Sequence, residues 1–474
     1  MSKTVASDAP KRATRTEKDS LGSLEVPADA YYGVQTARAI ANFPISGERL
    51  HVEMVRAVAR IKIAAARANA ELGVLDAKKA DAIVKAGEEI VAGRHDDHFV
   101  VDAYQAGAGT SFHMNVNEVI ANRACEILGG ERGDTMLVSP NDDVNMAQST
   151  NDVIPTAIRI AGYEMTGPVL EQMERLATTF SERAHAFRHV LKSGRTHLQD
   201  AVPITLGQEF SGYQVCVENW TESLRRSREG LLVLGLGGNA AGTGINAHPR
   251  YRERAVANLE AMTGARFRPA PNLFEAMQSM APIVRVSNDL RGFTLDLTRI
   301  ANDLRLLASG PTTGLNEIGL PVVQPGSSIM PGKVNPVLLE MTNMVCYQVL
   351  GYDTTVAYAA QAGQMELNVM MPVIAHNLLR SLHILAPALR VLREKCVEGI
   401  TANEEVCRGY FDRSISVATA LNPIIGYLAA AEVAKEAAKT GKTVVAIVRK
   451  RKLLTEEQIA KVFSPEGMTH PGGA

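Results

Sequence analysis

Two segments of the chain carry apolar residues whose spacing alternates between four and three positions. The first segment shows it at Leu206, Phe210, Tyr213, Val217, Trp220 and Leu224, and the second at Val286, Leu290, Phe293, Leu297, Ile300, Leu304 and Leu307. This spacing puts all the named side chains of a segment on one stripe of an α-helix. Held over about three heptads, it predicts long helices that pack at shallow angles, as in helix bundles.

Prolines and glycines indicate where the helices begin and end. We expect Pro203 in the first turn of the first helix, and Gly310-Pro311 to end the second. Further long helices are predicted after Pro336 and after Pro372. The whole pattern predicts a mainly all-α protein with a central bundle of long helices. Its predicted parts are an N-terminal helical domain at 1–150 with a disordered tail at 1–18, a bundle domain at 151–402 and a small helical domain at 403–474.

The composition is that of an ordinary soluble globular protein, with 46% hydrophobic and 21% charged residues. A net charge of -1 gives no electrostatic reason to expect nucleic acid or a membrane surface as a partner. No apolar run approaches the roughly 18 residues that a transmembrane helix needs. The five cysteines are scattered, with no metal-binding spacing and no disulfide framework, so we expect a cytoplasmic protein.

The segment Gly326–Pro336 places two serines, one lysine and one asparagine between glycines and prolines. Glycine permits backbone conformations that other residues resist, and proline stiffens its neighbours. The segment therefore predicts a mobile loop with defined ends, of the kind that closes over a substrate. A plain linker would have no need for Lys333 and Asn335 in this arrangement.

Three further patches share the chemical character of this loop, since each is rich in hydroxyls and amides and poor in carboxylates. They are Gly107–Glu118, Pro140–Asp152 and Gly194–Asp200. A site for a dicarboxylate needs hydroxyl and amide donors, helix N-termini and one or two cations. Taken singly, each patch has a purely structural explanation. Ser149-Thr150-Asn151 suits a helix cap, and His197 suits a buried core histidine.

Taken together and in this order, the loop and the patches resemble the aspartase/fumarase superfamily of lyases, over about residues 20–470. Several stretches are more similar to aspartases than to fumarases: Val26–Thr36, Gln148–Asp152 with Thr150, Gly314–Ile318 with Asn316, and Gly399–Asn403. His197 is the fumarase-like residue, although some aspartases share it. His113 departs from both groups, which usually carry Asn before the Met-Asn pair, and no role is assigned to it.

The resemblance implies reversible conversion of L-aspartate to fumarate and ammonia through an aci-carboxylate intermediate. It implies Ser327 as the base that removes the proton from Cβ. From residue chemistry alone, His197 is the alternative base, because imidazoles titrate near neutral pH. The implied substrate contacts are Thr110, Ser149, Thr150 and the Ser328 N–H group at the β-carboxylate, Lys333, Asn335 and Thr196 at the α-carboxylate, and Asn151 and His197 at the amino group.

Two other functions stay open, namely a class II-type fumarase acting on malate and a catalytically silent structural protein with the same fold. The four patches are expected at opposite ends of long helices in one chain, which predicts a homotetramer whose core is an intersubunit helix bundle and whose active sites are shared between subunits. Long helices with apolar stripes independently favour an oligomer, since one chain cannot bury them all. We expect a small-molecule substrate and no cofactor or dedicated metal site, with activation by a divalent cation as an open possibility.

Overall fold

The structure, a computed structural model, describes residues 13–471, and this part of the chain is dominated by seventeen α-helices. In chain order they are α1 Val34–Asn42, α2 Val52–Glu71, α3 Ala77–Val91, α4 Thr110–Ile127, α5 Thr150–Ala186, α6 Leu206–Glu229, α7 Tyr251–Thr263, α8 Leu273–Gln278, α9 Ala281–Leu307, α10 Val337–Gln361, α11 Met371–Lys395, α12 Glu404–Arg413, α13 Asn422–Ile425, α14 Tyr427–Thr440, α15 Val444–Arg451, α16 Glu456–Val462 and α17 Pro465–Thr469. The predicted all-α class is confirmed.

The strands of the described residues form four small two-stranded sheets. The antiparallel pairs are β1 Thr14–Asp19 with β2 Gly22–Pro27, β3 Leu191–Thr196 with β4 Gln199–Thr205, and β7 Ile318–Gly319 with β8 Thr401–Ala402. The parallel pair is β5 Val233–Leu234 with β6 Arg268–Pro269. The β3–β4 sheet carries the predicted site residue Thr196 at the end of β3, directly before His197.

The predicted long helices are confirmed as α6, α9, α10 and α11, and their apolar stripes are buried. On α9, all seven residues of the predicted stripe are at most 4% exposed. On α6, five of the six are at most 4% exposed, and Trp220 is half-buried. Burial of such a stripe is the main source of stability for a long helix in a globular protein.

Two sequence predictions are wrong. The prediction of a disordered tail is wrong for Thr14 to Lys18, because these residues belong to β1, which pairs along its whole length with β2. Residues 1–12 of the predicted tail lie outside the described part of the chain. The prediction of Pro203 in the first turn of a helix is also wrong, because Pro203 lies in β4, opposite Ser193. A proline fits an extended conformation as well as a helix start, because both accept its fixed φ.

The contacts divide the chain into two compact units, each built from three segments. Unit 1 consists of Met1–Pro168, Leu224–Arg291 and Gln348–His383, and unit 2 of Val169–Ser223, Gly292–Tyr347 and Ile384–Ala474. The prediction of three consecutive domains stays a prediction.

The core of unit 1 is formed by closely packed, alanine-rich helices. On α2, thirteen of twenty residues are buried. A Cβ added to Gly87 of α3 would lie 2.6 Å from the Ile63 side chain, so glycine allows α2 and α3 to approach closely. Arg123 of α4 binds Glu89 of α3 through two hydrogen bonds of 2.7 and 2.9 Å. The Arg123–Glu89 pair holds the C-terminal part of α4 against α3.

The portions of α6 and α9 that belong to unit 2 run antiparallel. Trp220 Nε1 donates to Asp296 at 2.8 Å, while Tyr213, two turns earlier on α6, contacts Asp303, two turns later on α9. A Cβ on Gly292 would collide with the Trp220 indole at 2.1 Å, so the glycine makes room for this ring. The observed pairing is the bundle geometry that the heptad spacing predicts.

Candidate functional site

The predicted site residues fall into two groups, one in each unit. Unit 1 holds Thr110, Ser149, Thr150 and Asn151, and unit 2 holds Thr196, His197, Ser327, Ser328, Lys333 and Asn335. In both groups they lie at helix starts, in a hairpin turn or in a loop, and none of them is fully buried. Such positions suit residues that meet a ligand.

A tight turn precedes α4 and leaves Thr110, its first residue, exposed. Ala108 and Gly109 both have positive φ angles, of 61° and 88°. The left-handed conformation favours glycine, and a Cβ on Gly109 would also meet Ile154 at 3.4 Å. The small residues of this turn therefore allow the start of α4 to lie against the first turns of α5.

A capping arrangement begins α5. Ser149 Oγ accepts a hydrogen bond from the Asn151 N–H at 3.3 Å, and Asp152 Oδ1 accepts one from the Ser149 N–H at 2.9 Å. Asp152 Oδ2 accepts from the N–H groups of Gly237 and Asn239, both at 3.0 Å. These bonds satisfy donors that would otherwise be unpaired. The buried Asp152 carboxylate is thus directed to the main chain rather than to a ligand.

A hydrogen bond connects the starts of the two helices, since His113 Nδ1 on α4 lies 2.8 Å from Thr150 Oγ1, on the first residue of α5. Helix N-termini carry partial positive charge and unpaired N–H groups, which attract anions. Two such ends, with the hydroxyls of Thr110 and Thr150, form a surface suited to a carboxylate.

Asn151 is oriented by a main-chain carbonyl. Its Nδ2 donates to the carbonyl oxygen of Ala240 at 2.8 Å. Because a carbonyl oxygen only accepts hydrogen bonds, the amide nitrogen must face Ala240, and the amide oxygen points the other way. An amide oxygen is an acceptor, and an ammonium group is a donor that it can bind.

Behind Thr150 lies a buried polar chain that the sequence analysis missed. His113 Nε2 is 2.6 Å from Lys62 Nζ, and Lys62 Nζ donates to Asn145 Oδ1 at 2.9 Å. Burial lowers the pKa of Lys62 and of His113 well below their ordinary values, and burial raises the pKa of Asp152 to about 6. The imidazole of His113 is therefore neutral at neutral pH.

A sequence signal for Lys62 does exist. It falls on the apolar stripe of α2, four residues after Val58 and three before Ala65, both fully buried. A lysine on such a stripe must lose its hydration, which is costly unless a partner is present. A lysine at a buried position of the apolar helical repeat of α2 therefore indicates a buried polar partner.

In unit 2, Thr196 and His197 lie at the tip of the β3–β4 hairpin. His197 and Leu198 form the turn, with φ angles of 56° and 57°. Left-handed φ is costly for a residue such as leucine, and strained turns of this kind often occur at functional sites. Leu198 is 72% exposed, so packing of its side chain within the chain does not explain the strain.

The hairpin is fixed at its base by buried charges. Arg195 binds Glu317 through two hydrogen bonds of 3.0 and 2.8 Å, and Lys192 contacts Glu317 at 2.7 Å and Glu209 at 2.6 Å. Glu317 is fully buried. A two-pronged arginine–carboxylate pair fixes geometry as well as charge. These contacts hold the strand that leads into Thr196.

The loop Gly326–Pro336 contains its own hydrogen bonds. Ser327 Oγ accepts from the N–H groups of Ile329 at 3.2 Å and Met330 at 2.9 Å. Asn335 Nδ2 donates to the Gly326 carbonyl at 2.5 Å, and the Gly326 N–H donates to the Lys333 carbonyl at 2.9 Å. The neck of the loop is thereby closed, and one N–H of the Asn335 amide stays free for another acceptor.

The neck depends on glycine, since a Cβ on Gly326 would lie 2.5 Å from the Lys333 carbonyl oxygen. The Lys333 side chain and Ser328 are exposed, and Ile329 is 83% exposed. An exposed apolar side chain at a loop tip, beside an exposed cation, is consistent with a loop that covers a ligand when it closes.

Two of the stretches with aspartase-like sequence contact each other directly. Asn403 Nδ2 donates to the main-chain oxygen of Asn316 at 2.8 Å and to its side-chain oxygen at 3.0 Å. Strand β7, which follows Asn316, pairs with β8, which precedes Asn403. Asn316 thus has a structural role at the segment that leads into the loop.

Residues 13–471 contain no group of three or more His, Cys, Asp or Glu side chains that could hold a metal ion. All five cysteines are free. No helix in this part of the chain is both long enough and apolar enough to span a membrane. The prediction that no cofactor is needed stays a prediction.

Comparisons with known proteins give the family. A family model described as Lyase matches residues 22–351, and one described as Fumarase C C-terminus matches residues 417–470. The aspartate ammonia-lyase of Helicobacter pylori strain J99 is 48% identical over 459 residues, which cover 96% of this chain and 98% of that protein. The class II fumarate hydratase of Halobacterium salinarum is 51% identical over 459 residues, covering 97% of each.

The same fold is found in a crystal structure of a fumarate lyase:delta crystallin from Brucella melitensis. That structure matches with a TM-score of 0.94 and 48% identity, and the match covers 97% of this chain and 100% of that one. The superfamily resemblance inferred from the loop and patches is confirmed.

Proposed function

This chain belongs to the lyase family and is a carbon–nitrogen lyase, and from this premise we propose that it interconverts L-aspartate with fumarate and ammonia. The observation that carries the proposal is the pairing of two helix N-termini, each with a threonine as its first residue, around the His113–Thr150 hydrogen bond. Such a pair offers several donors and no free carboxylate to one carboxylate of a substrate.

The chemical difficulty is the weak acidity of the Cβ proton of aspartate. Its removal becomes possible when the adjacent carboxylate takes up a second negative charge, as an aci-carboxylate. Donors arranged in advance around this charge stabilise it, and losing one typically costs about 3 kcal/mol. We assign Thr110, Ser149, Thr150 and the Ser328 N–H group to this task.

Ser327 is the base in this proposal. Its Oγ, as the alkoxide, takes the Cβ proton, and the electron pair left on Cβ moves into the β-carboxylate to give the aci-carboxylate. When this electron pair returns, it forms the double bond between Cβ and Cα, and the Cα–N bond breaks with its electrons leaving on ammonia. A free serine is a poor base, so the alkoxide needs donors around it. The N–H groups of Ile329 and Met330, which already donate to Ser327 Oγ, can supply them.

The remaining contacts follow from charge. Lys333 and the free amide N–H of Asn335 are suited to the α-carboxylate, with Thr196 assisting. The amide oxygen of Asn151 is an acceptor for the substrate ammonium, and His197 is assigned to the same group. Bringing both groups of residues into one site through a homotetramer is part of the proposal, as are a cytoplasmic location and the absence of a required cofactor.

A fumarase is the second candidate, because a class II fumarate hydratase is 51% identical to this chain. The two reactions share the carboxylate chemistry and differ in whether ammonia or water leaves. A silent structural protein is the third, although an inert scaffold would have no use for a glycine-flanked loop that carries Ser327, Lys333 and Asn335.

An ultraviolet assay for fumarate tests the proposal. Purified protein is given L-aspartate and, separately, L-malate, and the rise in fumarate absorbance is recorded. We expect fumarate from aspartate and little or none from malate. Faster turnover of malate would support the fumarase, and no turnover of either acid would support a structural protein.

A further inference from the structure

We propose that His113 is a positioning residue that directs the hydroxyl hydrogen of Thr150 toward the substrate carboxylate, an inference that rests on the proposed role of Thr150 as a carboxylate donor. The geometry is a buried chain of three hydrogen-bonded groups. His113 Nδ1 lies 2.8 Å from Thr150 Oγ1, and His113 Nε2 lies 2.6 Å from Lys62 Nζ.

The direction of the hydrogens follows from which groups can donate. A lysine ammonium has three donors and no acceptor, so it must donate to His113 Nε2. A neutral imidazole carries one hydrogen, which then lies on Nδ1 and is donated to Thr150 Oγ1. The threonine hydroxyl has its acceptor position filled, and its own hydrogen is free to point outward to a carboxylate.

The opposite arrangement would turn this hydrogen away. A neutral lysine amine could accept from Nε2–H, Nδ1 would then accept from the Thr150 hydroxyl, and Thr150 would have no hydrogen for the substrate. The charge of the nearby buried Asp152, ionised at neutral pH, favours the first arrangement, because it raises the pKa of Lys62 against the lowering by burial and so favours the ammonium. Asn145 Oδ1 accepts from Lys62 in either arrangement and holds the lysine nitrogen in place.

Burial keeps the three hydrogen-bonded groups in fixed positions. Lys62 is fully buried and His113 is 1% exposed, whereas Thr150 is half-buried and reaches the surface. Hydrogen bonds in such surroundings are stronger, and they polarise one another along a chain. The Lys62 charge therefore strengthens the Thr150 donor at the position where negative charge grows during the reaction.

Two substitutions separate positioning from folding. His113→Asn puts an amide donor near the Nδ1 position but does not reach Lys62. His113→Gln places an amide oxygen near the Nε2 position, where it accepts from Lys62, but loses the bond to Thr150. We expect His113→Gln to lower kcat about tenfold or more with KM changed less than about threefold, and to keep its Tm near that of the wild type.

We expect the opposite for His113→Asn, with a lowered Tm and kcat within about threefold of the wild type. His376→Gln, a buried histidine of unit 1 paired with Glu48, is the matched control and should leave kcat unchanged. A His113→Gln enzyme within twofold of wild-type kcat overturns the proposal. So does a kcat that follows Tm in both variants, because that is the signature of a purely structural residue.

A double-mutant cycle tests the route through Thr150. In a Thr150→Ala background, His113→Gln should change kcat by less than about twofold, because the group through which it acts is missing. An equal loss in both backgrounds would overturn the proposal. Turnover is measured on aspartate or on malate, whichever the wild type converts, so that a wrong substrate assignment does not affect the result.

Histidine ¹⁵N spectra give a readout that needs no turnover, with His113→Asn identifying the resonances of His113. A neutral ring protonated on Nδ1 supports the proposal, and a ring protonated on Nε2 overturns it. A wild-type protein that converts neither acid would contradict the proposed function. The spectrum would still show in which direction the hydrogen bonds from Lys62 through His113 to Thr150 run.

Discussion

Ser327 has two readings at the scale of the single residue. A serine hydroxyl that accepts from N–H groups two and three residues later also occurs in ordinary turns, where it only fixes the chain. In a water-excluded pocket, however, the same two donors would stabilise an alkoxide. If Ser327 is the base, loss of its hydroxyl should lower the reaction rate and leave the fold intact.

We expect Ser327→Ala to lower kcat by at least about a thousandfold, with kcat/KM falling in parallel, because the lost group acts in the transition state. Aspartate binding and Tm should stay close to the wild type. Steady-state kinetics and calorimetric titration measure these values, with Ser211→Ala, whose hydroxyl bonds only the Gln208 carbonyl, as the control.

The assignment of the base would be wrong if Ser327→Ala kept more than about a tenth of kcat while His197→Gln was inactive. The imidazole at the tip of the β3–β4 hairpin would then be the proton acceptor. Glutamine is the informative replacement, because many aspartases carry it at this position and it keeps the capacity to orient a substrate.

Lys333→Ala should behave differently from Ser327→Ala. The lysine is assigned to a carboxylate that is charged throughout the reaction, so its loss should raise KM as well as lower kcat. Steady-state kinetics with L-aspartate measures both values. Lys435→Ala, an exposed lysine of α14, is the control. An unchanged KM would remove Lys333 from substrate binding.

At the scale of the element, the Asp152 carboxylate connects the start of α5 to the glycine-rich segment that contains Gly237 and Asn239. We expect Asp152→Asn to destabilise the protein at pH 7 by about 1–3 kcal/mol, because an amide cannot accept all three N–H groups. Denaturant unfolding measures the loss, with Asp412→Asn, a partly exposed surface aspartate paired with Arg408, as the control. Unchanged stability would show that the carboxylate is not needed there.

The difference in unfolding free energy between the wild type and Asp152→Asn should depend on pH in a defined direction. Burial raises the pKa of Asp152 to about 6, above the 3.8 of an unperturbed aspartate. Between these values the folded chain binds a proton that the unfolded chain does not, so protonation adds stability as the pH falls from about 6 toward 4. The Asn variant lacks this gain, and its deficit relative to the wild type should grow in that range.

The sequence predicted some elements well and others poorly. The stripes of α6 and α9 were evident because a helix long enough to cross a bundle must repeat its apolar positions many times. The β1–β2 hairpin was missed because its strands are short and polar, and partly buried on one face only. The roles of Lys62 and His113 depend on contacts 51 and 37 positions apart along the chain, which no local pattern contains.

At the scale of the whole molecule, unit 2 leaves large apolar side chains uncovered along its long helices. They are Val215 on α6, Leu295 and Leu306 on α9, and Met344 and Tyr347 on α10, all between 40% and 69% exposed. Large exposed apolar side chains on several helices are a frequent mark of an interface. They support the prediction that further copies of the chain cover these helices.

We therefore expect a homotetramer, with a mass by light scattering close to four times the 51.0 kDa of the chain.

If its active sites are shared between subunits, an inactive Ser327→Ala protein and an inactive His197 variant should complement each other when their subunits are exchanged. Random mixing in equal amounts leaves both residues intact in about a quarter of the sites, so about a quarter of the wild-type activity should return. Separately assembled tetramers of each variant, mixed without subunit exchange, are the control and should stay inactive. A monomer that is active at high dilution would contradict the assembly, and a tetramer whose mixed variants recover no activity would place Ser327 and His197 of each site on one subunit.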